Sequence, residues 1–458
     1  MPELFRTLTS VARALDAQRY GLDVTGQNIA NVNTPGYARR TIDLAPVAPE
    51  APGTAGRGVD VVGIRALRDR LLEARLTNEV PAQTREAAMS EALSVVEAAV
   101  GTPGSSIDIN LENFYDAFAA LAETPTSASH RESVVIQGEG LAAAFRNMAG
   151  RLESARHDAD RQARGTVDDV NALLERIAAL NVSIGNATTV ERSLHARDEQ
   201  TQLVRQLSEL VDVRVLEREG GGVDISVGHG RPVIVGETTY PVTVASAPPL
   251  GYATVSVNGA DVTSEIAAGR LGGFLHVRDV NIPDYQNRLD TLAYAVANEV
   301  NALHAAGYDQ TGATGGAFFT APAAVAGAAA ALTVRPALAA DARLVAAGNT
   351  VAAGDNDAAR AIANLRQATV LNGNTATLSE GWGHLVYRVG RDAKSATDER
   401  NSREEIVREV DALRDAVSGI SLDEEAMNLL KFQRAYEANA RFFQIIDQTL
   451  ETMLSLSR

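Results

Sequence analysis

At 458 residues the chain has room for about two to four domains, and with 45% apolar but only 5% aromatic residues its cores must be built from aliphatic and small side chains. A net charge of -16 argues against nucleic acid, whose binding needs clustered Lys and Arg, and equally against an anionic membrane surface. The absence of cysteine excludes disulfides and thiolate metal sites.

The first helix is predicted from Pro2 to Asn31, ending at "NVNTPGY", residues 31–37. Thr34 precedes Pro35 and so avoids the α region, while Pro35-Gly36 supplies turn geometry. Residues 37–46 read as an extended segment, Ala45 to Gly58 as a Pro, Ala and Gly linker, and "GVDVVGIRAL" as a short strand by alternation. A helical pattern runs from Asp69 to about Val100, with Pro81 expected to kink or interrupt it, and Gly101 to Ser106 reads as a turn. Leu111, Phe114, Phe118 and Leu121 then line one face of a further helix. A much longer one is expected from about Arg131 to Ile184, and another from Val190 to Leu210.

The texture changes at Val211. Period-two alternation with Gly-Gly-Gly, Gly-His-Gly and Asn258-Gly259 punctuation predicts short strands joined by turns. Helical pattern returns from Pro283 to about His304. Residues 312–355 are Ala- and Gly-rich and read as short helices, and a helix near 357–369 follows. Long helices run from about Leu385 with a break at Gly419, where Ser421 and Glu424 suit a capping box. The fold class is therefore mainly α with a small inserted β domain. Terminal helices paired as a coiled coil occupy 1–55 plus 412–458. An elongated helical rod domain takes 56–211 plus 269–411, and a short-stranded β module takes 212–268.

The two ends carry the strongest periodicity. Leu4, Leu8, Val11, Leu15, Leu22 and Ile29 form a 4-3 stripe, and Leu422, Leu429, Tyr436, Phe443 and Leu450 recur every seventh residue, with a second file running from Ala426 to Leu454. Such a stripe commonly packs a helix on its own domain, but a 3.5-residue repeat at both ends calls for a partner helix. Phe432, Phe442, Ile446 and Met453 are expected on the opposite face, which would need further partners. The terminal stripes are therefore taken as an assembly interface.

No chemistry competes with this reading. None of the histidines pairs with another at metal spacing, no nucleophile elbow or phosphate loop is present, and Gly220-Gly221-Gly222 reads as a hairpin turn. No catalytic, cofactor-binding or metal residue is assigned, and the chain is not read as an enzyme. The N-terminal stretch, interrupted by Arg6, Arg13, Asp16 and Arg19, does not read as a cleaved secretory signal.

The segment "GLDVTGQNIANVNTPGYARRTIDL", 21–44, resembles the N-terminal signature of the flagellar axial proteins: rod, hook and hook-associated proteins. Its Asn-Thr-Pro-Gly-Tyr with Arg39-Arg40 is most similar to the hook-associated protein 1 family. "GRGVDVVGIRALRDRLLEARL", 56–76, and "LDEEAMNLLKFQRAYEANARFFQIIDQTLETML", 422–454, resemble the matching segments of that family, as do 197–215 and 274–309. The resemblance implies a structural protein of the bacterial flagellum, joining hook to filament as a self-assembled ring through its terminal helices. It implies extracellular location after export by the flagellar type III apparatus without a cleaved signal. The partners it implies are other copies of the chain, the hook protein, the second junction protein (hook-associated protein 3) and a cytoplasmic export chaperone on the C-terminal segment. Asn28, Asn31, Asn33, Pro35, Gly36 and Tyr37 are expected to shape the signature turn. Another axial protein, hook or distal rod, and a surface adhesion module are the alternatives. The first would show a predominantly β middle, the second an exposed aromatic patch in 212–268.

Overall fold

The computed structural model describes residues 2–48, 56–101, 107–247 and 251–456. The chain starts with helix α1 (Pro2–Ala30), followed by strands β1 (Arg40–Pro46) and β2 (Val59–Ala66). Helices α2 (Arg70–Val100), α3 (Ile107–Glu123), α4 (Ala128–Gly185) and α5 (Val190–Leu210) come next. Seven short strands follow: β3 (Val213–Glu217), β4 (Val223–Val227), β5 (Arg231–Val235), β6 (Thr238–Thr239), β7 (Val242–Ala247), β8 (Tyr252–Val257) and β9 (Ala260–Asp261). Helix α6 (Gly269–His276) passes through a π-helical turn, Val277–Asn281, into α7 (Ile282–Ala306). The short α8 (Ala328–Ala331), α9 (Pro336–Ala340) and α10 (Asp357–Asn364) lead to the long α11 (Leu378–Ser418) and α12 (Leu422–Leu456).

Local chemistry sets most of these boundaries. Asp69 caps α2 by accepting from the Leu71 and Leu72 amides, and Ser127 caps α4 through the His130 amide. Thr377 and Glu380 close a full capping box, so α11 begins at Leu378, a turn and more before the Leu385 expected from periodicity. Trp382 is buried in that first stretch. The expected interruption at Pro81 does not occur: α2 runs through it, with Pro81 itself buried. An interior proline costs about 3 kcal/mol. Packing along α11, including the Ser90–Thr397 hydroxyl pair at 2.9 Å and the Glu79–Arg403 ion pair at 3.2 Å, offsets that cost. Residues 102–106 of the expected turn and 49–55 of the expected linker lie outside the described residues, and Ala45 and Pro46 belong to β1.

Two large cores hold the body, with a small cluster of Leu76, Val80, Val407 and Val410 between α2 and α11. One joins the second half of α2, α3, the first half of α4, α7, residues 318–347, α10 and the start of α11. At its centre Phe114, Phe118, Phe318 and Phe319 meet edge-on or tilted at centroid distances of 4.9 to 5.7 Å. The other core joins the second half of α4, α5, α6 and the strands of the β module. The module is two antiparallel sheets, β3-β4-β5-β6 and β7-β8-β9, with Gly220 and Gly221 at positive φ in the β3–β4 turn. Two asparagines of α4 bracket it. Asn171 accepts the Val242 amide and donates to its carbonyl, and Asn181 does the same for Val223. The β segment thus shares its core with helices.

The boundaries expected at 55/56 and 411/412 run through structural units. β1 and β2 pair antiparallel across the first, and α11 is unbroken across the second. Strand pairing draws residues 59–66 toward the terminal helices.

Candidate assembly interface

Helices α1 and α12 lie antiparallel. Asn28 meets Glu425 at one end, Gly21 faces Phe432, and Val11 clusters with Ile446 and Leu450 at the other end. Leu4, Leu8, Leu15 and Phe443 are half-buried around that cluster, while Leu22, Ile29 and Leu429 are half-buried without belonging to it. Leu422 and Tyr436 are exposed, at 52% and 40%. The inward face instead takes Gly21, Val24, Thr25 and Asn28 from α1, and Ile446 and part of Phe432 from α12, the last two of which periodicity placed outside. The reason is geometric. A straight α-helix drifts about 20° per heptad against a strict seven-residue file. A file that faces inward at Leu450 has therefore rotated out by Leu422. The side chain of Leu454 lies outside the described residues.

The outer face of α12 carries exposed apolar side chains among charged ones such as Lys431, Arg434 and Arg441: Met427, Leu430, Phe442, Ile445 and Met453 are 45 to 65% exposed. Phe5 and Tyr20 on α1, and Leu413 and Val417 at the end of α11, add to the exposed apolar surface of this end of the molecule. A helix pair that covers only one side of itself is what an unfinished interface looks like.

Below the pair sits a buried polar hub. The Asn28 carboxamide is fully used: its Nδ2 donates to the Arg40 carbonyl at 2.9 Å and to Glu425 Oε2 at 3.0 Å. Its Oδ1 accepts from the Arg40 amide at 3.0 Å and the Tyr37 hydroxyl at 3.1 Å. This holds the chain as it turns from α1 into β1. Asn31 contributes locally, donating to the Gln27 carbonyl at 2.9 Å and accepting from Thr34 at 3.1 Å. Gly36 has φ +79°, and its Cα side faces Gln202 and the Asp198 carbonyl of α5, so the turn lies against the body. Asn33 and Pro35 are exposed. Burial raises the Tyr37 hydroxyl pKa, with Asp198 and Glu425 adding to it against the opposing Arg40.

The hub reaches both ways through arginines. Arg39 Nε donates to Glu425 Oε1 and its Nη1 to Glu424 Oε2, each at 2.8 Å, and its amide bonds the Ser418 carbonyl at 3.1 Å. Glu424 is thereby drawn away from the expected capping box; only its amide, 3.4 Å from the Ser421 hydroxyl, serves the cap. Arg40 lies over the Tyr37 ring and pairs with Asp198 at 3.0 Å, and Arg68 pairs with the other oxygen of Asp198. Glu425 and Asp198 are buried carboxylates compensated on both oxygens, the arrangement that makes burial of charge tolerable. Periodicity missed both, because a carboxylate on a helix reads as solvated. The available signal was that each lies within a segment that carries the family resemblance.

A cavity of about 970 Å³ opens beside the hub between β2, α2, α5 and β3. Of the carboxylates lining it, Asp198 and Glu217 are ion-paired, with Arg68 and Arg70 respectively, and Glu73 is the third. Among the described residues no group of three or more His, Cys, Asp and Glu could hold a metal ion, and no helix is long and apolar enough to cross a membrane.

Residues 93–319 match the family described as "Flagellar hook-associated protein FlgK helical domain". Residues 8–37 match "Flagella basal body rod protein", and 415–456 match "Flagellar basal body rod FlgEFG protein C-terminal". The chain is 26% identical to flagellar hook-associated protein 1 of Bacillus subtilis over 99% of both chains. It is 23% identical to that of Escherichia coli, over 98% of this chain and 99% of the relative. The chain belongs to the flagellar hook-associated protein 1 family. Its fold is that of the flagellar hook junction protein FlgK from Burkholderia pseudomallei, with a TM-score of 0.67 at 14% identity, covering 75% of this chain and all of that one. Membership agrees with a body that is mostly helical rather than β. The adhesion alternative lacks its patch: Tyr252 is buried, donating to Glu153 at 2.5 Å with Arg156 over its ring, and Tyr240 is half-buried.

Proposed function

We propose that this chain is the flagellar component that joins hook to filament, and that it does so by packing its terminal helix pair against the same pairs of neighbouring copies to form a ring. Family membership supports the flagellar role. The observation that carries the assembly mode is the half-covered pair: α12 buries Ile446 and Leu450 on α1 while Leu430, Phe442 and Ile445 stay exposed on its far side. Burying apolar area releases about 25 cal/mol per Å², so an exposed stripe of this kind is stabilised only when another surface covers it. Folding of the ends would then be completed on assembly.

The axial role further implies contact with the hook protein on one side and the second junction protein on the other. It also implies passage to the cell exterior through the flagellar type III apparatus, with a chaperone covering the C-terminal segment beforehand. No step of this role asks for bond making or breaking.

The test is a chain carrying Phe442→Asp and Ile445→Asp, expressed in motile cells lacking their own copy. The purified variant is expected to keep its helical content and melting temperature, while the cells show hooks without filaments and release flagellin into the medium. Normal filament growth would overturn the assembly reading.

A further inference from the structure

The apolar seam between α1 and α12 is thin and repetitive. Its buried aliphatic side chains are Val11, Ala17, Val24, Ile446 and Leu450, with half-buried leucines around them. A seam of this kind repeats itself after a shift of one heptad, so it does not by itself choose a stagger. Two features of the pair do not repeat. One is the hydrogen bond between Asn28 and Glu425, both at most 2% exposed; among the described residues of the two helices the other buried polar side chain is Thr25. The other is the slot at Gly21: a Cβ there would stand 2.6 Å from the Phe432 ring, so the aromatic sits where α1 has no side chain. In an antiparallel pair these contacts lie one heptad apart on both helices.

A slip of α12 by one heptad in one direction sets Asn28 against Phe432 and strips Glu425 of its amide partner. A slip the other way sets Phe432 against Ala14, which has a Cβ, and Glu425 against Gly21. Either slip leaves a buried polar group without its hydrogen bond, which is the penalty that makes single buried polar residues good register markers.

We propose that the Asn28–Glu425 hydrogen bond and the Gly21–Phe432 slot together select one register for the terminal helix pair. The selection fixes where the outer stripe of α12 stands relative to the body, and it rests on the reading of that stripe as the assembly surface. Asn28 and Glu425 are positioning residues, acting through the stagger. The competing determinant is the pair of connecting segments, 31–39 and 419–421, which tie the helices to the body.

The absence of cysteine makes the test clean, since only introduced pairs can cross-link. In the full chain, Val11→Cys with Ile446→Cys reports the observed register. Val11→Cys with Met453→Cys, or with Asn439→Cys, reports a slip of one heptad. The native hub is expected to give the first product alone under mild oxidation. Adding Asn28→Leu and Glu425→Leu is expected to raise the ratio of slipped to in-register product about tenfold or more. Glu425→Gln, which keeps an acceptor for the Asn28 amide, is expected to hold the register. An unchanged ratio in the double-leucine chain would assign the stagger to the connecting segments and overturn the proposal. Loss of every cross-link would show the hub to be needed for docking rather than register, and would overturn it too. Filament assembly separates the two readings. A slipped chain that still builds junctions refutes the assembly surface and leaves register selection standing; a double-leucine chain with an unchanged ratio that fails to build them overturns register selection and leaves the assembly surface standing.

Discussion

The body and the terminal pair each press a glycine against a phenylalanine ring, Gly138 against Phe318 and Gly21 against Phe432. The surroundings differ. Phe318 is fully buried, touching Phe114, Phe118, Phe319 and the His304 ring, in a core drawn from helices across the chain. Phe432 is half-buried, on a pair whose buried apolar side chains are small or aliphatic (Val11, Ala17, Val24, Ile446 and Leu450), steadied by a polar hub. In the body many contacts over-determine each side chain. In the terminal pair a few directional contacts fix geometry, and one apolar face is left for something else to cover.

The largest expected effect is on the body. Phe318→Ala removes the ring that four other rings meet, and a large-to-small change at such a site costs about 3 to 5 kcal/mol. Denaturant unfolding followed by far-ultraviolet circular dichroism should show the midpoint falling accordingly. Phe432→Ala, at a half-buried position, should leave that transition nearly in place. Equal losses would mean that the two regions unfold as one unit.

Acid should act on the body next. His304 is buried without exposure; its Nδ1 lies 2.8 Å from the Gly316 carbonyl and its Nε2 accepts the Ala346 amide at 3.0 Å. That pattern fits the neutral ring with its proton on Nδ1. Burial, with Arg335 and Arg131 adding to it, pushes its pKa down from 6.5 to about 4. The unfolded chain therefore binds a proton that the folded chain refuses, and the stability present above pH 6.5 is lost as pH falls toward 4, by about 3 kcal/mol in full. Asp212 works the other way. Burial raises its pKa from 3.8 to about 6, so its protonation adds stability as pH falls from about 6 to 3.8. The two contributions are similar in size and opposite in sign, so they largely offset each other in the native chain below pH 6, and the decline should stand out in Asp212→Asn. A flat profile in Asp212→Asn would rule out a neutral, buried His304.

A smaller and more local loss is expected at the hub. Asn28→Ala leaves the Arg40 amide and Glu425 without the carboxamide, at a cost of about 1 to 3 kcal/mol. Hydrogen exchange should rise in α1, β1 and α12, with α3 and α7 unchanged. Uniform loss of protection would show that the hub supports the body as well.

What could be read in the sequence follows the same division. Helices with a long one-sided stripe were legible, as were the alternating strands of 213–261, since periodicity is itself the record of burial. The Phe318 and Phe319 contribution was not, because 312–347 is mostly irregular and its aromatics reach the core without a period. Pro81 was misread because local cost is visible in sequence and the packing that offsets it is not. At the terminal pair the composition of the interface was legible and its azimuth was not: a seven-residue file points to a seam, but the drift of a straight helix decides which end of the file meets it. Glu425 and Asp198 are the deepest case, since a carboxylate's burial depends on arginines that reach it from elsewhere in the fold.

The smallest effect on the isolated chain should separate the regions most sharply. Leu430 on α12 and Tyr387 on α11 are both exposed, at 54% and 70%. Surface substitutions away from packed features usually change stability by no more than about 0.5 kcal/mol, so Leu430→Ser and Tyr387→Ser should melt like the parent. Their difference should appear only among copies. Leu430 belongs to the apolar stripe with Met427, while Tyr387 stands alone on a helix whose neighbouring residues are largely polar or charged, such as Arg388 and Arg391. If the half-covered pair is completed by neighbours, Leu430→Ser removes area that assembly would bury, and fewer hooks should carry filaments, while Tyr387→Ser cells swim normally. If both variants assemble alike, exposure of an apolar side chain on α12 has no more meaning than on α11. The contrast between a body stabilised from within and a pair completed from outside would then reduce to a difference in packing density.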